Sequence, residues 1–144
     1  MKELAELRCL IEQQHYPEAL GLIAEMEAMS REDKVNRIGS FIKILLIHLI
    51  KQQAEQRTTR AGDASIANAL FEIGKTNRRR KAGGVYVDGE EIREIIEEHY
   101  PYALAYAALE AFGGRYPAEE LETMFAPDRV MNEALSRILE HTAL

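Results

Sequence analysis

Between Val35 and Gln56 the chain reads VNRIGSFIKILLIHLIKQQAEQ, with apolar side chains recurring at intervals of three and four. Val35, Ile38, Ile42, Leu45 and Leu49 share one helical face. Phe41, Ile44, Leu46, Ile47 and Ile50 fill much of the remaining circumference, so from 41 to 50 only Lys43 and His48 are polar. A helix that is apolar on nearly every side has to be buried on nearly every side. The pattern predicts a central rod over residues 31–56, capped by Ser30, with Glu32 or Asp33 at its positive end.

Other segments repeat the helical period more weakly. Residues 2–14 put Leu4, Leu7, Leu10 and Ile11 on one face. His15-Tyr16-Pro17 should end that helix, because the residue before a proline is pushed out of the α region. Pro17 then opens a second helix with Leu20, Ile23 and Met26 inward, and the short elbow makes the pair an antiparallel hairpin. After the rod, Gly62 is expected to end it and Asp63 or Ser65 to cap the next helix. That helix shows Ile66, Ala69, Leu70 and Ile73 on one face and runs into Asn77-Arg78-Arg79-Arg80-Lys81, with Gly83-Gly84 as its stop. Val85-Tyr86-Val87 is too short to read as a strand.

Asp88 with Glu91 marks another helix start, carrying Ile92, Ile95 and Ile96 to about residue 98. His99-Tyr100-Pro101 is read as its break, with a further helix from Pro101 to about Phe112. A short helix follows Tyr116-Pro117, and Asp128 caps a last one with Val130, Met131, Leu135, Ile138 and Leu139 buried. The expected fold is all-α: a compact single-domain bundle, residues 1–144, of about seven or eight helices around a long buried one. His-Tyr-Pro-x-Ala-Leu occurs at 15–20 and again at 99–104. One recurrence at that distance does not fit a short-period helical repeat, so it reads as the same elbow used twice.

Charge changes this picture. The net charge is −6, yet residues 51–84 carry eight basic groups against three acidic, while residues 85–144 carry four against thirteen. Arg57, Arg60, Lys75, Arg78, Arg79, Arg80 and Lys81 make a basic band that could track phosphates, with Tyr86 to stack on a base. The acidic third of the same fold, or of a second subunit, could neutralise them instead. The lone Cys9 can form no internal disulfide, the opening Lys2-Glu3 with Glu6 does not read as a leader, and the apolar run at 41–50 is shorter than a bilayer span, so a cytoplasmic location is expected.

Catalytic patterns are missing. His48 lies among Leu and Ile with no histidine at helical spacing, which is more often core structure than chemistry. The Glu pairs at 90–91, 97–98 and 119–120 read as solvated faces. Gly83-Gly84 lacks the frame of a phosphate loop. No pattern asks for a cofactor, a metal or a membrane.

Several stretches taken together resemble a known family. They are Glu25-Met26-Glu27-Ala28-Met29-Ser30, the buried helix ending His48-Leu49-Ile50-Lys51, Arg57-Thr58-Thr59-Arg60, Asp63 with Ser65-Ile66, Asn77 to Gly84, and Ala111-Phe112 with Gly114-Arg115-Tyr116. The family is the bacterial, largely cyanobacterial, domain-of-unknown-function family number twenty-nine, and the likeness covers nearly the whole chain. Members often carry Ser-Trp where this chain has Ala61-Gly62. The resemblance implies an all-α domain and a polar cluster of His48, Lys51, Arg57, Arg60 and Asp63; the family has no established activity to pass on. The expected function is a non-catalytic module that binds a protein partner or a second copy as a homo-oligomer. Nucleic-acid binding through 57–81 is the first alternative, and an enzyme using His48 with its charged neighbours is the second.

Overall fold

The computed structural model describes residues 2–79 and 83–142, in two compact units, residues 1–35 and 36–144. Among the described residues there are six α-helices and no strand: α1 (Lys2–Glu12), α2 (Tyr16–Glu55), α3 (Arg60–Asn77), α4 (Gly89–Glu110), the single turn α5 (Ala118–Leu121) and α6 (Pro127–Thr142). The fold is all-α among the described residues, and residues 36–144 form a compact helical bundle. Among the described residues, no helix is long and apolar enough to cross a membrane.

Two expected breaks are absent, which is why there are six helices rather than seven or eight. Ser30 is not a cap; α2 passes through it. A cap needs an extended backbone, and Ala28-Met29 before and Arg31-Glu32 after all favour helix, with no glycine or proline among them. Pro101 likewise sits inside α4. Its missing N–H leaves the carbonyl of Glu97 without a donor, but Glu97 is exposed to water. The buried stripe Ile92, Ile95, Ile96, Tyr100, Ala103, Leu104, Ala107 and Ala108 crosses the proline without losing phase. Continuous burial outweighs the local preference to break. The two His-Tyr-Pro strings therefore do different work, and only the first is an elbow. There Gln14 turns left-handed at φ 60 and His15 N–H donates to the carbonyl of Leu10 at 2.8 Å.

Residues 1–35 form a helix–turn–helix unit from α1 and the start of α2. Ala19 is its one buried side chain among the described residues. Leu7, Leu10, Leu22, Ile23 and Met26 are half-buried, while Leu4, Ile11, Tyr16, Leu20 and Met29 are exposed.

In residues 36–144 the rest of α2 is the core element, as its pattern predicts. Ile38, Ile42, Leu45, Leu46, Leu49 and Ile50 are essentially sealed from solvent. Each such side chain contributes about 1.5–3 kcal/mol by leaving water. Side-chain hydrogen bonds tie this stretch to α3 (Arg37 to Glu72, Gln52 to Asp63), to α4 (Lys51 to Glu110) and to α6 (Gln53 to Glu133). Helix α3 buries Ile66, Ala69, Leu70 and Ile73, the residues its spacing selects. In α6 the inward line is Val130, Ala134 and Ile138. Met131 and Leu135 are half-buried, and Leu139, expected inside, is 41 % exposed because it lies one position round the helix from Ile138.

Thr59, not Asp63 or Ser65, caps α3, its Oγ1 accepting from the N–H of Gly62 at 3.0 Å. Gly62 thus lies inside α3 rather than ending α2, and the turn out of α2 is made by Gln56 at φ 53. Asp88 caps α4 through the N–H of Glu91, as its spacing predicts. Helix α3 stops at Asn77, before the arginine run it was expected to enter. The buried Asn77 amide explains this: Nδ2 donates to the carbonyl of Val87 at 2.9 Å and Oδ1 accepts from its N–H at 2.8 Å. Arg78 is then extended and bridges antiparallel to Val85, and Arg79 N–H donates to the carbonyl of Gly84. Gly83 and Gly84 have φ of 72° and 74°, values that side chains disfavour.

Candidate functional site

The last two turns of α2 put His48, Lys51, Gln52 and Glu55 on one stripe, spaced by three and four. Facing them are Arg57 in the connection, Thr59, Ala61, Gly62 and Ser65 at the start of α3, and Glu110 at the end of α4. These residues enclose a cleft of about 260 Å³. A β-carbon on Gly62 would lie 2.9 Å from Thr59 Oγ1 and 3.8 Å from His48 Nδ1, so the bare glycine keeps the cleft open.

Several groups in the cleft are already engaged. Lys51 Nζ pairs with Glu110 Oε2 at 3.5 Å, a long ion pair. Gln52 Nε2 donates to Asp63 Oδ1 at 3.0 Å, and Glu55 Oε2 accepts from the N–H of Phe112 at 3.1 Å. Others have no side-chain partner among the described residues: the His48 imidazole, the Arg57 guanidinium and the Ser65 hydroxyl. Burial, then the Lys51 ammonium, lowers the proton affinity of His48 below its ordinary value, against a smaller opposing pull from Glu110. The ring is therefore neutral near pH 7, offering one N–H and one lone pair.

Of the five residues that the family resemblance implies as a cluster, His48, Lys51 and Arg57 line the cleft. Asp63 is held by Gln52, and Arg60 is exposed outside the lining. The sequence gives Gly62 and Ser65 roles only at a helix end, and it marks none of Gln52, Glu55, Thr59, Gly62, Ser65 and Glu110 as a site residue. The spacing from His48 could have found Gln52 and Glu55; only the fold brings in Glu110.

Among its described residues, the basic band is spread along α3 rather than gathered at one place. Arg57 and Arg60 stand at the start of α3, and Lys75, Arg78 and Arg79 at its end, all exposed. The helix separates Arg60 from Lys75 by about 22 Å at 1.5 Å per residue. Arg79 lies over the ring of Tyr86, 5.8 Å from its centroid. Arg80 and Lys81 lie outside the described residues. Cys9 is exposed, and no group of three His, Cys, Asp or Glu could hold a metal ion among the described residues.

No family model, no curated protein and no solved structure matches this chain.

Proposed function

We propose that the chain is a self-associating interaction module whose helix–turn–helix segment packs on that of a second copy. The observation that carries this reading is the near absence of a core in residues 1–35, where Ala19 alone is buried among the described residues. Segments below about 40 residues rarely hold a fold without a disulfide, a metal or a partner chain. The exposed Leu4, Ile11, Leu20 and Met29 are costly to leave in water and would be covered in a dimer. A second copy fits as occupant because two helical hairpins, each with one apolar side, complete a four-helix bundle by a two-fold axis. The segment carries four basic and eight acidic groups, so its association should strengthen as salt screens that like charge.

Sedimentation over a range of concentrations and at two salt levels tests this. A dimer is expected, tighter at high salt. Leu20→Glu, at a position 66 % exposed, should weaken it at least about tenfold while leaving residues 36–144 folded. A monomer throughout, with the helices of residues 1–35 protected from hydrogen exchange, overturns the proposal. Nucleic-acid binding through residues 57–81 competes with it, and co-sedimentation with mixed-sequence DNA at near-physiological salt would favour that alternative instead.

A further inference from the structure

We propose that the cleft between the end of α2 and the start of α3 is a binding site for a small molecule, held through a carboxylate or phosphate group. The site is independent of self-association, since every residue of its wall belongs to residues 36–144. Arg57 is the group best placed to receive an oxyanion. Its guanidinium is a planar fork of donors suited to an oxyanion, it lines a concave wall, and it has no acidic partner among the described residues. Beside it the Ser65 hydroxyl and one His48 ring N–H also have hydrogen atoms to give. The Thr59 hydroxyl oxygen accepts from Gly62, which leaves its own hydrogen able to donate inward.

Lys51 supplies a second cation. Its 3.5 Å separation from Glu110 is longer than a tight charge-assisted bond, so a ligand anion can share the ammonium without first breaking a short pair. The carboxylates set the size limit. Glu55 and Glu110 also line the cleft and would repel a polyanion, while one oxyanion near Arg57 and Lys51 meets two cations. The volume, about 260 Å³, falls just under the usual range of about 300–1,000 Å³ for sites that take drug-sized ligands, so the occupant is small. The bare Gly62 leaves room for it, since a β-carbon there would lie 2.9 Å from Thr59 Oγ1.

The test is an amide NMR titration with inorganic phosphate and, separately, malonate, each against chloride at matched ionic strength. Saturable shifts confined to the amides around Thr59, Gly62 and Ser65 are expected with at least one probe, and which probe binds tells phosphate from carboxylate. Arg57→Gln should weaken binding at least about tenfold. Arg57 is exposed, so the variant keeps the fold, which its own spectrum verifies. Leu20→Glu should bind as wild type does, which separates this inference from the dimer. No saturation with either probe, unchanged binding in Arg57→Gln, or shifts spread equally to Arg78 and Arg79 would overturn it.

Discussion

His99 crosses α2 at Gly39 so closely that a β-carbon on the glycine would lie 2.5 Å from the imidazole Nε2 and 3.1 Å from Cε1. Gly39 is buried inside a helix, where alanine would otherwise gain up to about 1 kcal/mol. The His99 ring of α4 lying over α2 is the physical reason for a glycine just ahead of the apolar run at 41–50. Gly39→Ala should destabilise the bundle by about 1–3 kcal/mol through overpacking. In a His99→Ala background the same change should become neutral or stabilising. Urea denaturation of the four members of the cycle measures the coupling, and additive effects would show that the close contact carries no energy.

Asn77 offers a second test. Its amide satisfies both backbone groups of Val87 away from solvent, so Asn77→Ala leaves a buried N–H and a buried carbonyl unpaired. Each unpaired group costs about 1–3 kcal/mol. Asn77→Asp should fare no better, since it loses the donor and brings a charge to a site only 1 % exposed. Thermal melts within error of wild type would remove the clasp from the account of stability.

Stability should form a plateau bounded by two titrations. His48 has its proton affinity lowered by burial and by Lys51, so the unfolded chain protonates first as pH falls. Its contribution is present above the unfolded value of about 6.5 and is lost as pH drops through the lower folded value. Tyr100 is the reverse case. Burial, then its 2.8 Å hydrogen bond to Glu122, raises it above the ordinary phenol value, with the Glu122 and Asp128 charges adding to the shift. Its contribution is present below about pH 10 and declines as pH rises toward the folded value. Urea midpoints against pH should flatten on the acid side in His48→Gln and on the alkaline side in Tyr100→Phe. An unchanged profile in either variant would assign that limb to other groups.

These residues also show what a sequence can disclose. The stripe Ile38, Ile42, Leu45, Leu49 was legible because burial imposes a period on it. The passage of α2 through Ser30 and of α4 through Pro101 was not, since a cap residue or a proline states only a local preference. The phase of the apolar residues on either side decides the outcome. At Pro101 that phase is unbroken from Ile92 to Ala108, a signal present in the sequence but subordinate there to the proline. Half the cleft was readable as a polar stripe starting at His48. Glu110 and the open space at Gly62 depend on which helix ends meet, and spacing within one segment does not encode that.

Asn77 and Val87 have one more consequence. Nine residues leave and return between them, and both ends are fixed by the same side-chain amide. Among the described residues, the Asn77 clasp is what fastens this excursion to the buried side of the bundle. Doubling such an excursion costs about 0.6 kcal/mol in closure entropy, less than the loss of one buried hydrogen bond. Lengthening the connection between Asn77 and Val87 should therefore cost the helices on either side little, provided the clasp at its two ends is kept.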